Sequence, residues 1–413
     1  MNGAAESFSA APSGVMTKME HNQPARAQRN IPIWRDERVL RVLGQVVFLI
    51  LLAAIFGFLL RNMLVNLRQQ GMSLGFNFLG VTAGFDIGEH LIPYDRTHTY
   101  IDAFLVGLLN TILVSILGIV FSTILGVLFG IARLSTNILV QWIARGYIEF
   151  LRNVPLLVLL IFLYTTVFLQ LPRVKQAIEL PGPTLISNRG IVLPWGIPTE
   201  TWVPYLRILG LGVILAVAVW GGLSWYGRRT GRAPLAGFWG VVVFIAVAAL
   251  GWFALPSAPL SLDKPVVQGL RIVGGRPLSP EFMALLLGLV IYTSAFIADV
   301  VRAGIQSVGR GQVEAAKSVG LSGFRILRLV ILPQALRVIV PPLTSQYLNL
   351  TKNTSLAVAI GFPELFHVSG TVLNQSGRAI EVIAIVMAIY LTLSLLTSAF
   401  MNWYNRRVRL VER

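Results

Sequence analysis

The side chains able to act on a solute are few, and they interrupt long apolar text. Asn349, Lys352, Asn353, Thr354 and Ser355 break one apolar run, and Asn110 and Thr111 break another. Glu149, Arg152, Asn153 and Pro155 open a third, while Asp299 and Arg302 close a fourth. Polar groups at membrane depth are costly, so they mark a pathway or a helix contact. Lys352 and Asp299, with the amides and hydroxyl of Asn110, Asn153, Asn353 and Ser355, are six candidates to line a polar path, and Asp299 can also pair with Lys352. Plainer roles stand beside that one. Lys352 equally fits a structural hydrogen-bonding role. Glu149/Arg152 and Asp299/Arg302 are each three apart on one helix face, which fits local ion pairs at helix ends.

No catalytic set is present. The chain has no Cys, which removes thiolate metal sites and Cys nucleophiles. His21, His90, His98 and His367 lie outside the apolar runs and lack metal-ligand spacing, so no metal site is expected. A P-loop needs a Gly-Lys dipeptide, and the sequence contains none, so no ATP hydrolysis and no bound cofactor are expected of this chain.

The elements that must position these groups follow from composition. The 413 residues are 55% hydrophobic and 13% charged, against about 25% charged in soluble domains. A membrane helix needs about 20 apolar residues. Eight runs qualify: Val42–Leu60, Ala103–Ala132, Asn153–Pro172, Ile208–Gly227, Ala233–Leu262, Phe282–Ala298, Val338–Pro363 and Val382–Asn405. The fold class is therefore an all-α integral membrane protein, a polytopic helical bundle of about eight transmembrane helices. Residues 1–38 are polar, lack a signal peptide and read as a flexible tail. Residues 39–102 read as the first membrane helix with its outer loop, and 103–405 as the main domain, with an added helix pair at about 203–262. Residues 406–413 form a short tail. With the N-terminus inside, the inner segments hold 22 of the 34 Lys and Arg and the outer ones 10, so both termini are expected in the cytoplasm. The net charge of +16 then reads as a topology signal and an attraction to anionic lipid, with no nucleic-acid surface. The outer loops are rich in Pro and Gly (Leu180–Pro183, Pro194–Pro198, Pro256–Pro259, Gly274–Pro277) and are expected to be irregular. The added pair carries tryptophans and few polar atoms, as lipid-facing padding would.

The inner segment 302–337 is the most specific. Val313–Val319 permits helix, and Gly320 can end it at positive φ. Ser322 can cap a second helix, in which Phe324, Leu327 and Ile331 form an apolar face. Pro333 is expected to break or kink the chain before the seventh run. A short helix with apolar knobs on the cytoplasmic side offers a docking element; an amphipathic helix lying on lipid is the alternative.

Glu314-Ala315-Ala316, then Gly320, Val330, Leu332 and Pro333 resemble the EAA loop of the permease subunits of type I bacterial ABC importers. Val330 stands where that family commonly has Ile. Arg152-x-x-Pro155-Leu156, Arg302-Ala-Gly-Ile305, Gly311-Gln-x-Glu314, Leu332-Pro-Gln-Ala335 and Lys352-x-Thr354-Ser355-Leu356 narrow the resemblance to the polar amino acid permeases. The eight-span layout is similar to the larger permease of general L-amino acid importers. The resemblance implies a five-helix permease core, with ATPase coupling through Glu314, Ala315, Ala316, Gly320, Leu321, Phe324, Leu332 and Pro333. It implies cytoplasmic ABC ATPase subunits that use ATP and Mg, a second homologous permease about a pseudo-two-fold axis, a periplasmic binding protein and an L-amino acid substrate. The location would be the bacterial inner membrane. The alternative is an ion-coupled secondary transporter of a small polar solute, which would be expected to show inverted repeats and buried acids.

Overall fold

Where no water can reach the backbone, its polar groups must pair within the segment, so uninterrupted Leu, Val, Ile and Phe become long helices. The computed structural model describes residues 37–69, 75–231 and 235–408. The expected tail over 1–36, and 409–413 of the C-terminal tail, lie outside the described residues. The chain divides after Leu74 into two units. The first contains one described helix, α1 (Glu37–Gln69), whose segment Leu40–Asn66 is long and apolar enough to span a bilayer.

The second unit begins with a loop, then α2 (Tyr100–Ala132), α3 (Ile138–Asn153) and α4 (Leu156–Phe162), which continues as a π-helical turn over Leu163–Phe168. Then come β1 (Ile178–Leu180), β2 (Thr184–Ser187), β3 (Gly190–Leu193) and β4 (Trp195–Pro198). Helices α5 (Trp202–Thr230) and α6 (Ala236–Ala254) follow. After them lie β5 (Leu260–Asp263), β6 (Val266–Gln268), β7 (Arg271–Val273) and β8 (Arg276–Leu278), then α7 (Pro280–Gln306). The remainder is α8 (Arg310–Ser318), α9 (Gly323–Ile326), α10 (Leu332–Asn353), α11 (Leu365–Ser376) and α12 (Ala379–Val408). Among the described residues, seven helices can cross a membrane. The bent pair α3 plus α4 makes an eighth if it forms one span.

Three expectations are corrected. The third run is not one straight span. The inner segment 133–152 holds most of a helix, Ile138–Asn153, bent by 103° from the apolar segment that follows. Val154, ahead of Pro155, takes φ −96 and ψ 130, because the proline ring excludes the helical region for the residue before it. The outer loops are not irregular. Their turn residues join short antiparallel strands, with Gly182 at φ 84 between β1 and β2 and Gly274 at φ 82 before β8. Strands β3 and β8 are hydrogen-bonded neighbours, so the segment carrying α5 and α6 leaves and re-enters the fold at one place. Pro333 does not break the chain. It falls in the first turn of α10, where its missing N–H is tolerated, directly after a π-helical turn over Leu327–Ile331.

Helices α2 and α7 form the centre. Gly118, Ser122, Gly126 and Gly130 recur every four residues on α2 and all are buried. A Cβ on Gly126 would come within 2.6 Å of Ile297 on α7, and one on Gly130 within 2.9 Å of Val301. Small residues at that spacing let two backbones approach where the hydrophobic effect cannot drive helix association. Helices α5 and α6 pack as a hairpin and bury little.

Candidate functional site

The loop after α7 is a compact hook. The α7 end is closed by Ser307, whose Oγ donates to the Gly304 carbonyl at 2.7 Å. Helix α8 then ends in a Schellman turn. The Gly320 N–H donates to the Lys317 carbonyl at 2.9 Å, and the Leu321 N–H to the Ala316 carbonyl at 3.2 Å. That closure sets Gly320 at φ 77, a conformation costly for side chains with a Cβ. A Cβ there would meet nothing within 4 Å, so backbone conformation, not crowding, requires the glycine. Ser322 starts α9 with extended dihedrals but makes no side-chain cap; its carbonyl accepts from the Ile326 N–H at 2.9 Å.

Two buried residues anchor the hook: Ala316 at 7% exposure and Ile326 at 4%. The outward surface mixes exposed charges with apolar side chains, of which Val319 is 75%, Phe324 72% and Leu329 61% exposed. Glu314 and Ala315 are exposed on α8, and Leu332 is exposed at the start of α10. Ile326 had no part in the expected apolar face. It is the residue that turns inward, while Phe324 turns out.

Above the hook, one of the two expected i,i+3 ion pairs forms, Asp299 with Arg302, while Glu149 takes other partners. Glu149 accepts from Arg145 Nε at 2.7 Å and lies 4.0 Å from Arg133, with no contact to Arg152. Asp299 is gripped by three arginines: Arg133 at 3.1 Å, Arg152 at 2.7 Å and Arg302 at 3.1 Å. These join the end of α2, the end of α3 and α7. Among the described residues Asp299 forms no ion pair with Lys352. Its carboxylate ties together three helices just before the hook. Tyr147 reinforces the same junction. Its hydroxyl is 2.7 Å from Ser294 Oγ on α7, and its ring stacks on Phe129 of α2 at 3.9 Å.

The remaining path residues are dispersed. Asn110 is buried, and its amide donates to the carbonyls of Glu89 at 2.8 Å and Pro363 at 2.9 Å. It also lines a cavity of about 450 Å³ with Glu89, His90, Trp195 and Arg276, at the end of the bundle remote from the hook. Asn153 is exposed and donates to the Glu149 carbonyl at 2.7 Å, closing α3. Ser355 Oγ donates to the Lys352 carbonyl at 2.8 Å, where α10 tightens into a 3₁₀ turn over Thr354–Ile360. Asn353 is half-buried, and Lys352 is exposed with no ion pair among the described residues. Lys352 thus remains a free cation at a helix break.

Sequence reading assigned no role to the buried Glu364. Glu364 caps α11, accepting from the N–H groups of Phe366 at 2.9 Å and His367 at 2.8 Å and from the Tyr390 hydroxyl at 2.9 Å. Burial pushes its carboxyl up to about 7, against the pull of those donors. The neighbouring Thr111 hydroxyl accepts from the Leu365 N–H at 3.0 Å. The one available signal was an acid after Pro363 at the head of an apolar segment. Glu89 is half-buried; it accepts from the Ser279 N–H at 2.8 Å, and desolvation raises its pKa.

Residues 118–410 match the family described as binding-protein-dependent transport system inner membrane component. Among curated proteins, the chain is 42% identical to the general L-amino acid transport system permease protein AapQ of Rhizobium johnstonii, covering 92% of this chain and 94% of that one. It is 44% identical to the putative amino-acid ABC transporter permease protein YhdX of Escherichia coli, covering 90% and 94%. It is 40% identical to the glutamate/glutamine/aspartate/asparagine transport system permease protein BztB of Rhodobacter capsulatus, covering 92% and 96%.

Proposed function

From the premise that the chain belongs to the binding-protein-dependent transport system inner membrane components, we propose how it works as the permease subunit of an amino acid ABC importer. It is a multi-pass inner-membrane protein and not an enzyme. The observation that carries the coupling role is the glycine-closed hook over Arg310–Ile331, held by two buried residues and showing Phe324 and Val319 to its surroundings. The hook enters a cleft on a cytoplasmic ABC ATPase subunit, with Glu314, Ala315, Leu321 and Phe324 at the contact. Leu332 and Pro333 pass its movement into α10, while Ala316 and Gly320 hold its shape.

ATP and Mg belong to the ATPase, and this chain binds no cofactor. A second homologous permease completes the path about a pseudo-two-fold axis. A periplasmic binding protein delivers an L-amino acid, polar or of broad range, to the outer face. The hook side is cytoplasmic, as are both termini. Transport proceeds by alternating access, with the helices rocking about a mid-membrane site. Lys352, unpaired at the end of α10, meets the substrate carboxylate, and Asn353 lies beside it. Asn110, Asn153 and Asp299 have structural partners and act by shaping the path. The main domain is 103–405, with 302–337 as its coupling loop and the α5–α6 pair as an addition.

The test is co-purification of the tagged chain from its native membrane, followed by ATPase assay with a panel of amino acids. Capture of an ATPase and a second permease, with hydrolysis stimulated by amino acid and binding protein, is the expected result. Purification without a nucleotide-hydrolysing partner would contradict it. Lys352→Met should lower stimulated ATPase activity and uptake; unchanged values would assign the lysine a structural role.

A further inference from the structure

Beside the arginine junction above the hook lies a cavity that has no part in the proposed path. Its volume is about 460 Å³, and its walls are Arg133, Leu134, Gln141, Trp142, Arg145, Arg302 and Gln306. Three helices contribute: the end of α2, the first half of α3 and the end of α7. Among the described residues, the junction sets Arg133, Arg145, Arg152 and Arg302 against two carboxylates, Glu149 and Asp299. Two positive charges are left over, beside two glutamine amides. Such a wall offers hydrogen-bond donors in excess of acceptors, and guanidinium forks match phosphate oxygens.

The helix that forms one wall is amphipathic in a telling way. On α3 the buried residues are Ala144, Ile148 and Leu151. Gln141, Arg145, Glu149 and Arg152 run along it as a polar stripe. Ile138, Leu139, Trp142 and Ile143 are 60–70% exposed, and all lie within about one turn of the cavity's tryptophan. The helix also lies at 103° to the apolar segment after it. If that segment stands in the bilayer, α3 runs close to the membrane plane. An amphipathic helix with tryptophan and arginine at its polar–apolar boundary sits at the headgroup level. Basic pockets between membrane helices at that level take anionic lipid headgroups.

We propose that this cavity is a binding site for the phosphate headgroup of an anionic phospholipid, with the acyl chains lying along the exposed apolar residues of α3. Arg145 and Arg302 meet the phosphate, the amides of Gln141 and Gln306 meet its ester or glycerol oxygens, and Trp142 covers the glycerol backbone. Anionic lipid would then brace α3 against α7 next to the hook.

The probe is phosphatidylglycerol brominated on its acyl chains, added to the full-length chain in neutral-detergent micelles while tryptophan fluorescence is read. Quenching should saturate with brominated phosphatidylglycerol, and the saturable part should vanish in Trp142→Phe. Brominated phosphatidylcholine should give only weak, non-saturating quenching. Arg145→Gln lies on an exposed side chain, and Gln306→Glu places a charge on an exposed position, so both variants keep the fold. Each changes the site by one charge and should weaken binding about fivefold. A thermal-unfolding scan gives the second readout: phosphatidylglycerol should stabilise the wild type and not the double variant. Equal quenching by the two lipids, or unchanged affinity in both charge variants, would overturn the proposal. Equal protection by inorganic phosphate at the same concentration would make it a free-anion site and overturn the lipid assignment.

Discussion

The position that most directly tests the hook is Gly320. It sits at φ 77, and the two hydrogen bonds that close α8 depend on that dihedral. Because a Cβ there has nothing within 4 Å, substitutions report backbone strain with no steric contribution. An ordinary L residue in this region costs about 1–2 kcal/mol, asparagine less, and a β-branched residue more. A cost of about 1–2 kcal/mol lowers the population of the closed hook relative to its opened forms by a factor of about 5–30. Under the proposed coupling role the ATPase binds the closed shape, so its apparent affinity would fall by up to the same factor. The expected order of uptake and of stimulated ATPase activity is therefore wild type, Gly320→Asn, Gly320→Ala, Gly320→Val. Membrane insertion, followed by a C-terminal tag, should be equal in all four, because Gly320 lies outside the spans. Excess ATPase subunit in reconstituted vesicles should recover part of the loss in Gly320→Ala. Equal activity of the Val variant and the wild type would refute the reasoning. Activity lost equally in Asn and Val would also refute it, because crowding would then matter and the left-handed preference would not.

Other outcomes follow from the buried polar groups. Glu364 has its folded pKa raised from 4.5 to about 7, so its contribution to stability is fully present below 4.5 and is lost as pH rises through 7. The size is on the order of 3 kcal/mol. Thermal unfolding of Glu364→Gln should accordingly lose part of the decline with pH seen in the wild type. Only the difference between the two curves is diagnostic, because burial lowers the pKa of His367, which acts with the opposite sign. Identical curves would remove Glu364 as the titrating group. Asn110→Ala leaves the carbonyls of Glu89 and Pro363 without their donor and should cost about 1–3 kcal/mol in urea unfolding. A neutral result would mean that the two carbonyls find other partners. Asp299→Asn sets three arginines against one another and should cost about 1–3 kcal/mol. Combined with Arg152→Gln, the loss should be less than the sum, and strict additivity would show that the 2.7 Å contact carries no coupling.

Much of this protein was legible from local text, because local text is what the bilayer constrains. An apolar run of sufficient length must become a helix, so seven spans could be read from run length, whereas the break in the eighth could not. The hook was equally local. Gly320 four residues after Ala316 closes a Schellman turn within six residues of chain, whatever surrounds it. Proline chemistry was only half legible. Val154–Pro155 produced a 103° bend, whereas Pro333 was absorbed in the first turn of α10 after a π-helical turn. Both are X–Pro steps in apolar text, and only the hydrogen bonds around them differ.

The pairings across the chain were decided by tertiary structure. The i,i+3 spacing of Asp299 and Arg302 foretold one ion pair and could not show that Arg133 and Arg152 converge on the same carboxylate. Glu364 looked like an outer-loop acid until the fold buried it beside Tyr390. Asn110, expected to meet solute, ties two distant backbone carbonyls together. Gly118, Ser122, Gly126 and Gly130 kept their spacing in plain view, yet only the approach of α7 gives it meaning. A charge, an amide or a small residue has many partners of similar energy available along an unfolded chain. Which partner it takes depends on which helices lie side by side, and that is settled by the packing of the whole bundle.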